Sequence, residues 1–209
     1  MFIVGLTGSI GMGKTTVASH IAARGVPVLD SDSIVHALYA GAAVPAIEAE
    51  FPGTTAGGQV DRGTLSAALL ASEGGFGRLE ALIHPLVRQA QWRFLRDQAA
   101  AGARLAVLDI PLLFETGGQE LVDATLVVSA PADMQADRVL RRPAMTAAKL
   151  AAIRARQLPD AEKRERADYI VDTGLPWAQT QLQADTIIES LASRQGGAME
   201  RWRHVFASG

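Results

Sequence analysis

Apolar residues in this chain gather in short unbroken runs, separated by longer stretches whose polar and apolar positions alternate with a helical period. Five runs read as β-strands: Phe2–Leu6, Val26–Leu29, Leu105–Leu108, Thr125–Val128 and Tyr169–Val171. Each is continuous, as expected for strands covered on both faces. Helical patterns occupy Thr15–Arg24, Leu86–Ala101, Ala132–Arg141 and Trp177–Ser193. In the last of these, Ala184, Ile187, Ile188 and Leu191 follow the i, i+3, i+4, i+7 spacing of one buried face. Strand alternating with helix predicts a parallel sheet with right-handed crossovers, an α/β fold.

Two intervals break this rhythm. From Ser33 to Arg104 no convincing strand is found, only Ala/Leu-rich helical stretches and glycine-rich turns at Thr54–Gln59 and Gly74–Gly77. Some 70 residues exceed a simple crossover, so a helical insertion is expected beside the sheet. The interval from Arg138 to Arg166 holds nine of the twenty Lys and Arg residues, where an even spread would put about three. These breaks divide one domain into a core of residues 1–32, 105–137 and 167–209, an insertion over 33–104 and a basic segment over 138–166. No internal repeat is visible. The tail after Gly196 reads as a loosely attached helix or a frayed end, without a function.

The strongest chemical signal sits between the first strand and the first helix. Gly8-Ser-Ile-Gly-Met-Gly13-Lys14-Thr15 matches the phosphate-loop pattern G-x-x-x-x-G-K-[ST] in the strand–loop–helix setting that gives it meaning. Glycines let successive N–H groups turn towards a phosphate, and the following helix adds the positive end of its dipole. Lys14 then holds the outer phosphates, and the Thr15 hydroxyl is placed to ligate Mg²⁺. A dinucleotide-binding loop needs a third glycine three residues beyond Gly13, where Thr16 stands. The segment Thr125–Ala130 runs into Pro131 with no N-K-x-D-like guanine-reading motif, which argues against a GTPase. The remaining class is a small kinase.

Composition narrows the picture further. The 209 residues are 48% hydrophobic, enough for a full core in one domain. A formal charge of −2 argues against a generally basic nucleic-acid binder. With no cysteine, thiol nucleophiles and Cys-based zinc sites are excluded. No run reaches the roughly 18 apolar residues of a membrane span, and the opening FIVGLTG reads as a buried strand rather than a leader. A soluble cytoplasmic protein without membrane partner is expected; nothing in the pattern fixes an oligomeric state.

A kinase needs a carboxylate near the transferring phosphoryl group, metal ligands and a cationic cover. Asp30-Ser31-Asp32 closes the second predicted strand, at the edge where ligands of open α/β sheets bind. One carboxylate can accept the acceptor's proton while the other orders water around Mg²⁺; the same D-S-D also suits a helix cap. Leu105-Ala-Val-Leu-Asp109 ends an apolar strand in aspartate, the Walker-B pattern that supports Mg²⁺. The basic interval has only Asp160, Glu162 and Glu165 as acids, so it reads either as a lid over ATP or as a solvated helical face.

Taken together these residues resemble the dephospho-CoA kinases. The family's T-G-G-I-G-S-G-K-S/T is similar to Thr7-Gly-Ser-Ile-Gly-Met-Gly-Lys-Thr15, its D-A-D to Asp30-Ser31-Asp32, and its D-x-P-L-L-F-E to Asp109-Ile-Pro-Leu-Leu-Phe-Glu115. Asp61-Arg62 with Leu65, Leu79-Glu80 to His84-Pro85, Arg142, Gln157, Lys163 and Ala167-Asp-Tyr-Ile-Val-Asp172 also align, covering nearly the whole chain in order. The resemblance implies a nucleoside-monophosphate-kinase-like, three-layer P-loop fold with a five-stranded parallel sheet, a helical substrate insertion and a basic lid. It implies transfer of the γ-phosphoryl of ATP, with Mg²⁺, to the ribose 3′-hydroxyl of dephospho-CoA. Asp32 then matches the catalytic base, Gly11, Met12, Gly13, Lys14, Thr15 and Thr16 the ATP loop, and Arg142 the lid. Asp30, His84, Pro111 and Leu112 match the acceptor side, Thr15 and Asp109 the metal side, and Glu115 has no firm role. For His84 a helix-start position before Pro85 is the plain alternative.

Three positions depart from the family pattern: Pro143 after Arg142, Thr173-Gly after Asp172, and Met12 inside the loop. Rival readings are another small-molecule P-loop kinase, of nucleoside-monophosphate or shikimate type, and a non-catalytic ATP-sensing module.

Overall fold

The computed structural model describes residues 1–207. They divide into two compact units, residues 1–29 with 95–207, and Asp30–Phe94. The first begins with β1 (Phe2–Thr7), followed by the phosphate loop and α1 (Lys14–Ala23); β2 (Val28–Asp30) then leads the chain out of the sheet. The second unit opens with α2 (Ser31–Tyr39), α3 (Val44–Glu50), β3 (Thr55–Ala56), β4 (Gln59–Val60) and α4 (Arg62–Ala71). Helix α5 (Gly75–Ala100) spans the boundary. The chain returns to the sheet through β5 (Leu105–Asp109), a 3₁₀ turn at Gly118–Leu121, β6 (Ala124–Ser129) and α6 (Ala132–Leu140). It finishes with α7 (Ala147–Arg154), α8 (Asp160–Arg166), β7 (Tyr169–Asp172), α9 (Trp177–Ala192) and α10 (Ala198–Ala207).

The sheet order is β2-β5-β1-β6-β7, with β1 parallel to β5 and β6, and β6 parallel to β7. Strands β1, β5 and β6 are buried along their whole length, which explains their unbroken apolar sequences. On one face Val4, Leu6, Val107, Leu126 and Val128 pack with Val17 and Ile21 of α1 and Ala184, Ile188 and Leu191 of α9. The helical spacing read from Ala184 to Leu191 is therefore a core face, with Ile187 partly buried against it. Chain order reverses at β1, so its carboxyl end is the switch point where such sheets take ligands.

The second unit has its own apolar cluster of Ile47, Phe51, Val60, Leu65, Leu69 and Ile83. Two expectations are corrected here. The glycine-rich turn at Thr54–Gln59 contains a short antiparallel hairpin, Thr55 opposite Val60 and Ala56 opposite Gln59, where no strand was expected. Two-residue strands carry no periodicity to read. This hairpin is held instead by Glu48, whose carboxylate accepts from Gly53 N, Thr55 N and the Thr55 hydroxyl; those bonds hold its pKa below the usual value. Helix α5 starts eleven residues before the predicted Leu86 and carries Pro85 in its interior, so His84 is not a helix-start residue. Proline here costs one backbone hydrogen bond inside a long helix but does not end it.

The tail is the third correction. Helix α10 packs on β1 and on the Gly118–Leu121 turn. Trp202 is 1% exposed, its indole N–H donates to Leu121 O at 2.7 Å, and its ring stacks on Phe206. Asp123 starts the helix by accepting from Gly197 N and Ala198 N, both at 2.7 Å. Trp202→Ala is expected to lower the unfolding free energy by about 3–5 kcal/mol, the usual cost of emptying a buried aromatic site, measured as a shifted urea midpoint at unchanged slope. Among the described residues no helix is long and apolar enough to cross a membrane.

Candidate active site

Strand β1 delivers the chain to the sheet edge at Thr7, and the loop that follows turns on two glycines with positive φ, Gly11 at 79° and Gly13 at 87°. A side chain at Gly11 would also be crowded out, because its Cβ would lie 2.4 Å from Val139 Cγ2. Gly13 occupies the N-cap of α1 and brings no capping side chain. The first N–H groups of α1 therefore have no side-chain cap, and the helix dipole there favours an anion, while Thr16 N donates to Gly13 O at 3.1 Å.

Loop and sheet are tied together by side chains distant in sequence. Met12 is 2% exposed; its Sδ accepts from Ala130 N at 3.2 Å, and its carbonyl accepts from the Thr173 hydroxyl at 2.7 Å. Arg138 donates to the Thr173 hydroxyl and carbonyl at 3.0 and 2.7 Å. Two of the three departures from the family pattern, Met12 and Thr173, therefore touch each other. They form one packing unit under the loop.

Lys14 Nζ is ion-paired with Asp109 Oδ1, and both side chains are largely buried. This joins the head of the phosphate loop to the end of β5. Beyond Asp109 the chain turns through Pro111, whose carbonyl accepts from the Thr7 hydroxyl at 3.1 Å and from Lys163 Nζ at 3.4 Å. Lys163 is fully buried and paired with Glu115 at 2.9 Å. Glu115 also accepts from Leu158 N at 2.8 Å. Its place is thereby given: it fastens the turn before α8 to the wall that contains Pro111 and the half-buried Leu112.

The basic interval is split in use. Arg138 and Lys163 are spent on internal contacts, while Arg142, Arg156, Arg164 and Arg166 are exposed. Arg142 follows α6, and its carbonyl accepts from Met145 N at 3.2 Å. A cavity of about 420 Å³ lies nearby, with Met12, Gln135, Arg154, Asp160 and Arg164 among its lining residues.

In the second unit Asp30 is the N-cap of α2, accepting from Asp32 N at 3.0 Å, and Ser31 is hydrogen-bonded to Gln91 Nε2 at 3.0 Å. The capping reading of D-S-D therefore holds for Asp30. Asp32 lies in the first turn of α2 and is exposed, where the helix dipole favours an ionised carboxylate. His84 is half-buried within α5. Gln135 gives no sequence signal, since polar residues on helices read as solvent-facing, yet it is 4% exposed; Arg138 and Arg154 lie in the basic interval, but nothing in the sequence marks them apart from its other cations.

Comparison with known proteins gives a consistent result. Residues 2–176 match the family model described as CoaE, dephospho-CoA kinase. The chain is 54% identical over 196 residues to a dephospho-CoA kinase of Mesorhizobium japonicum, covering 94% of this chain and all of that one. It is 52% identical to one of Rhodopseudomonas palustris, covering 92% and 96%. Among solved structures, TT1252 from Thermus thermophilus superimposes with a TM-score of 0.80 at 31% identity, covering 90% of this chain and 96% of that one. A dephospho-CoA kinase from Campylobacter jejuni shares the fold with a TM-score of 0.69 at 21% identity, covering 91% and 96%.

Proposed function

The chain belongs to the dephospho-CoA kinase family, and from that premise we propose how its residues carry a phosphoryl group from ATP to dephospho-CoA. The enzyme is a kinase of coenzyme A biosynthesis: dephospho-CoA and ATP give coenzyme A and ADP. The observation that carries this reading is 54% identity with a named dephospho-CoA kinase over 94% of this chain and all of that one, on a phosphate loop shaped for an anion.

The loop from Gly11 to Thr16 receives the β- and γ-phosphates at the positive end of α1, and Lys14 exchanges part of its pairing with Asp109 for the outer phosphates. Asp32 accepts the proton of the ribose 3′-hydroxyl as that oxygen bonds to the γ-phosphorus. The bond to the β-phosphate oxygen breaks, and ADP leaves with the electron pair. Arg142 and its neighbours close over the phosphates, where fixed cations stabilise the spread charge of the transition state and exclude water. Asp30 orients the start of α2, and His84, Pro111 and Leu112 face the acceptor. Among the described residues no group of three or more acids and histidines forms a metal cage. Mg²⁺ needs none, since substrate phosphates and water fill most of its shell. The Thr15 hydroxyl and the Asp109 carboxylate are a fitting donor set, and Mg²⁺ bound there would neutralise phosphate charge. We place the protein in the cytoplasm, acting on a small-molecule substrate.

An ADP-release assay across acceptors tests the reading. Turnover is expected with dephospho-CoA and at least 100-fold less with nucleoside monophosphates or shikimate, because a site built for one acceptor's polar groups rejects analogues lacking them. Turnover with a rival acceptor and none with dephospho-CoA would replace the substrate. ATP binding without acceptor-dependent ADP would replace the enzyme with a sensor.

A further inference from the structure

One residue of the phosphate loop is gripped from two directions, through the peptide on either side of it. Ile10 N donates to Gln157 Oε1 at 3.1 Å, and Ile10 O accepts from Gln135 Nε2 at 2.7 Å. Gln135 belongs to α6, just before the basic segment, and Gln157 lies within that segment, on the turn between α7 and α8. Arg154, within that segment, donates to Gln135 Oε1. Gln157 is itself anchored, because the next residue, Leu158, donates to Glu115, which is locked to the buried Lys163.

We propose that Gln135 and Gln157 clamp Ile10 by its N–H and its C=O and couple the basic segment to the phosphate loop, making both of them positioning residues for the nucleotide. Ile10 precedes Gly11, whose left-handed backbone starts the sequence of phosphate-facing N–H groups. With both polar groups of Ile10 fixed, the direction of those N–H groups is set before any nucleotide arrives. The clamp uses neutral amides, so salt does not screen it as it would an ion pair. It also joins the start and the middle of the basic segment to one loop residue. Movement of that segment is transmitted to the loop, and phosphates in the loop in turn favour one position of the segment, since such coupling is reciprocal.

The clamp rests on the ATP-loop reading but not on the identity of the acceptor. Gln157→Met keeps the length and removes the acceptor oxygen; Gln157→Glu keeps that oxygen. Losing a hydrogen bond to a partly buried N–H is expected to weaken ADP binding by about tenfold, read by calorimetry. In the same variant the KM for dephospho-CoA stays within about twofold, and Gln157→Glu recovers most of the ADP affinity. Gln135→Met combined with Gln157→Met is expected to lose less than the product of the two single losses, since both hold one residue. ADP affinity within about twofold of the parent in Gln157→Met overturns the clamp. So does an equal loss of affinity for both substrates, which would mark general loosening. A parent protein that binds ADP but does not phosphorylate dephospho-CoA removes the proposed function and leaves this test intact.

Discussion

Asp32→Asn is expected to leave ATP binding near the parental value while lowering kcat by about 100-fold or more. Asparagine has almost the shape of aspartate and still suits the first turn of α2, where Asp32 is exposed and Asp30 supplies the cap. What it lacks is an anionic oxygen able to take a proton. The alcohol oxygen must lose its proton as it bonds to phosphorus, and without the carboxylate that proton has only water to receive it. Steady-state rates at saturating ATP and dephospho-CoA, with ADP affinity measured separately, give the answer. Near-parental kcat would remove Asp32 from the role of base. A parallel fall in kcat and ADP affinity would point to a damaged helix start.

Lys14→Ala is expected to act on both binding and turnover, because its ammonium serves ground state and transition state alike. The outer phosphates lose their point charge, so ADP and ATP affinities fall by about tenfold, and kcat falls by about 100-fold as charge shifts towards the leaving oxygen. The substitution also takes away the ion-pair partner of Asp109 at the end of β5. Lys14→Arg separates the two effects: it keeps the positive charge beside Asp109, while a planar guanidinium fits the loop poorly. Restored thermal stability with low turnover assigns the loss to phosphate chemistry. Unchanged affinity and unchanged turnover in Lys14→Ala would reject the phosphate-loop reading outright.

The phosphate loop could be read from sequence because its function depends on backbone conformation. Glycines at 11 and 13 are required by positive φ, and lysine and threonine must follow directly. The central strands were equally legible, since β1, β5 and β6 are buried on both faces and composition records that directly. Edge strands were read less well: β2 spans Val28–Asp30 rather than Val26–Leu29, because half-buried edges mix polar with apolar residues. The β3–β4 hairpin was too short to show a period. Helix α10 reads from sequence only as a loosely attached helix or a frayed end because its amphipathic face is brief, and its firm attachment comes from a docking site on residues some 80 positions earlier, such as Leu121.

By itself the sequence determined the α/β class, the phosphate loop with Lys14, and, through resemblance, the dephospho-CoA kinase family. All of these are written in residues close together, where one backbone conformation or one burial state selects the residue types. Only the tertiary structure decided that Met12 meets Thr173, that Glu115 serves Lys163, and that Gln135 and Gln157 share Ile10. Those partners are 48 to 161 positions apart. A hydrogen bond or buried ion pair imposes no pattern on the intervening chain, so it emerges only when folding brings its two ends together.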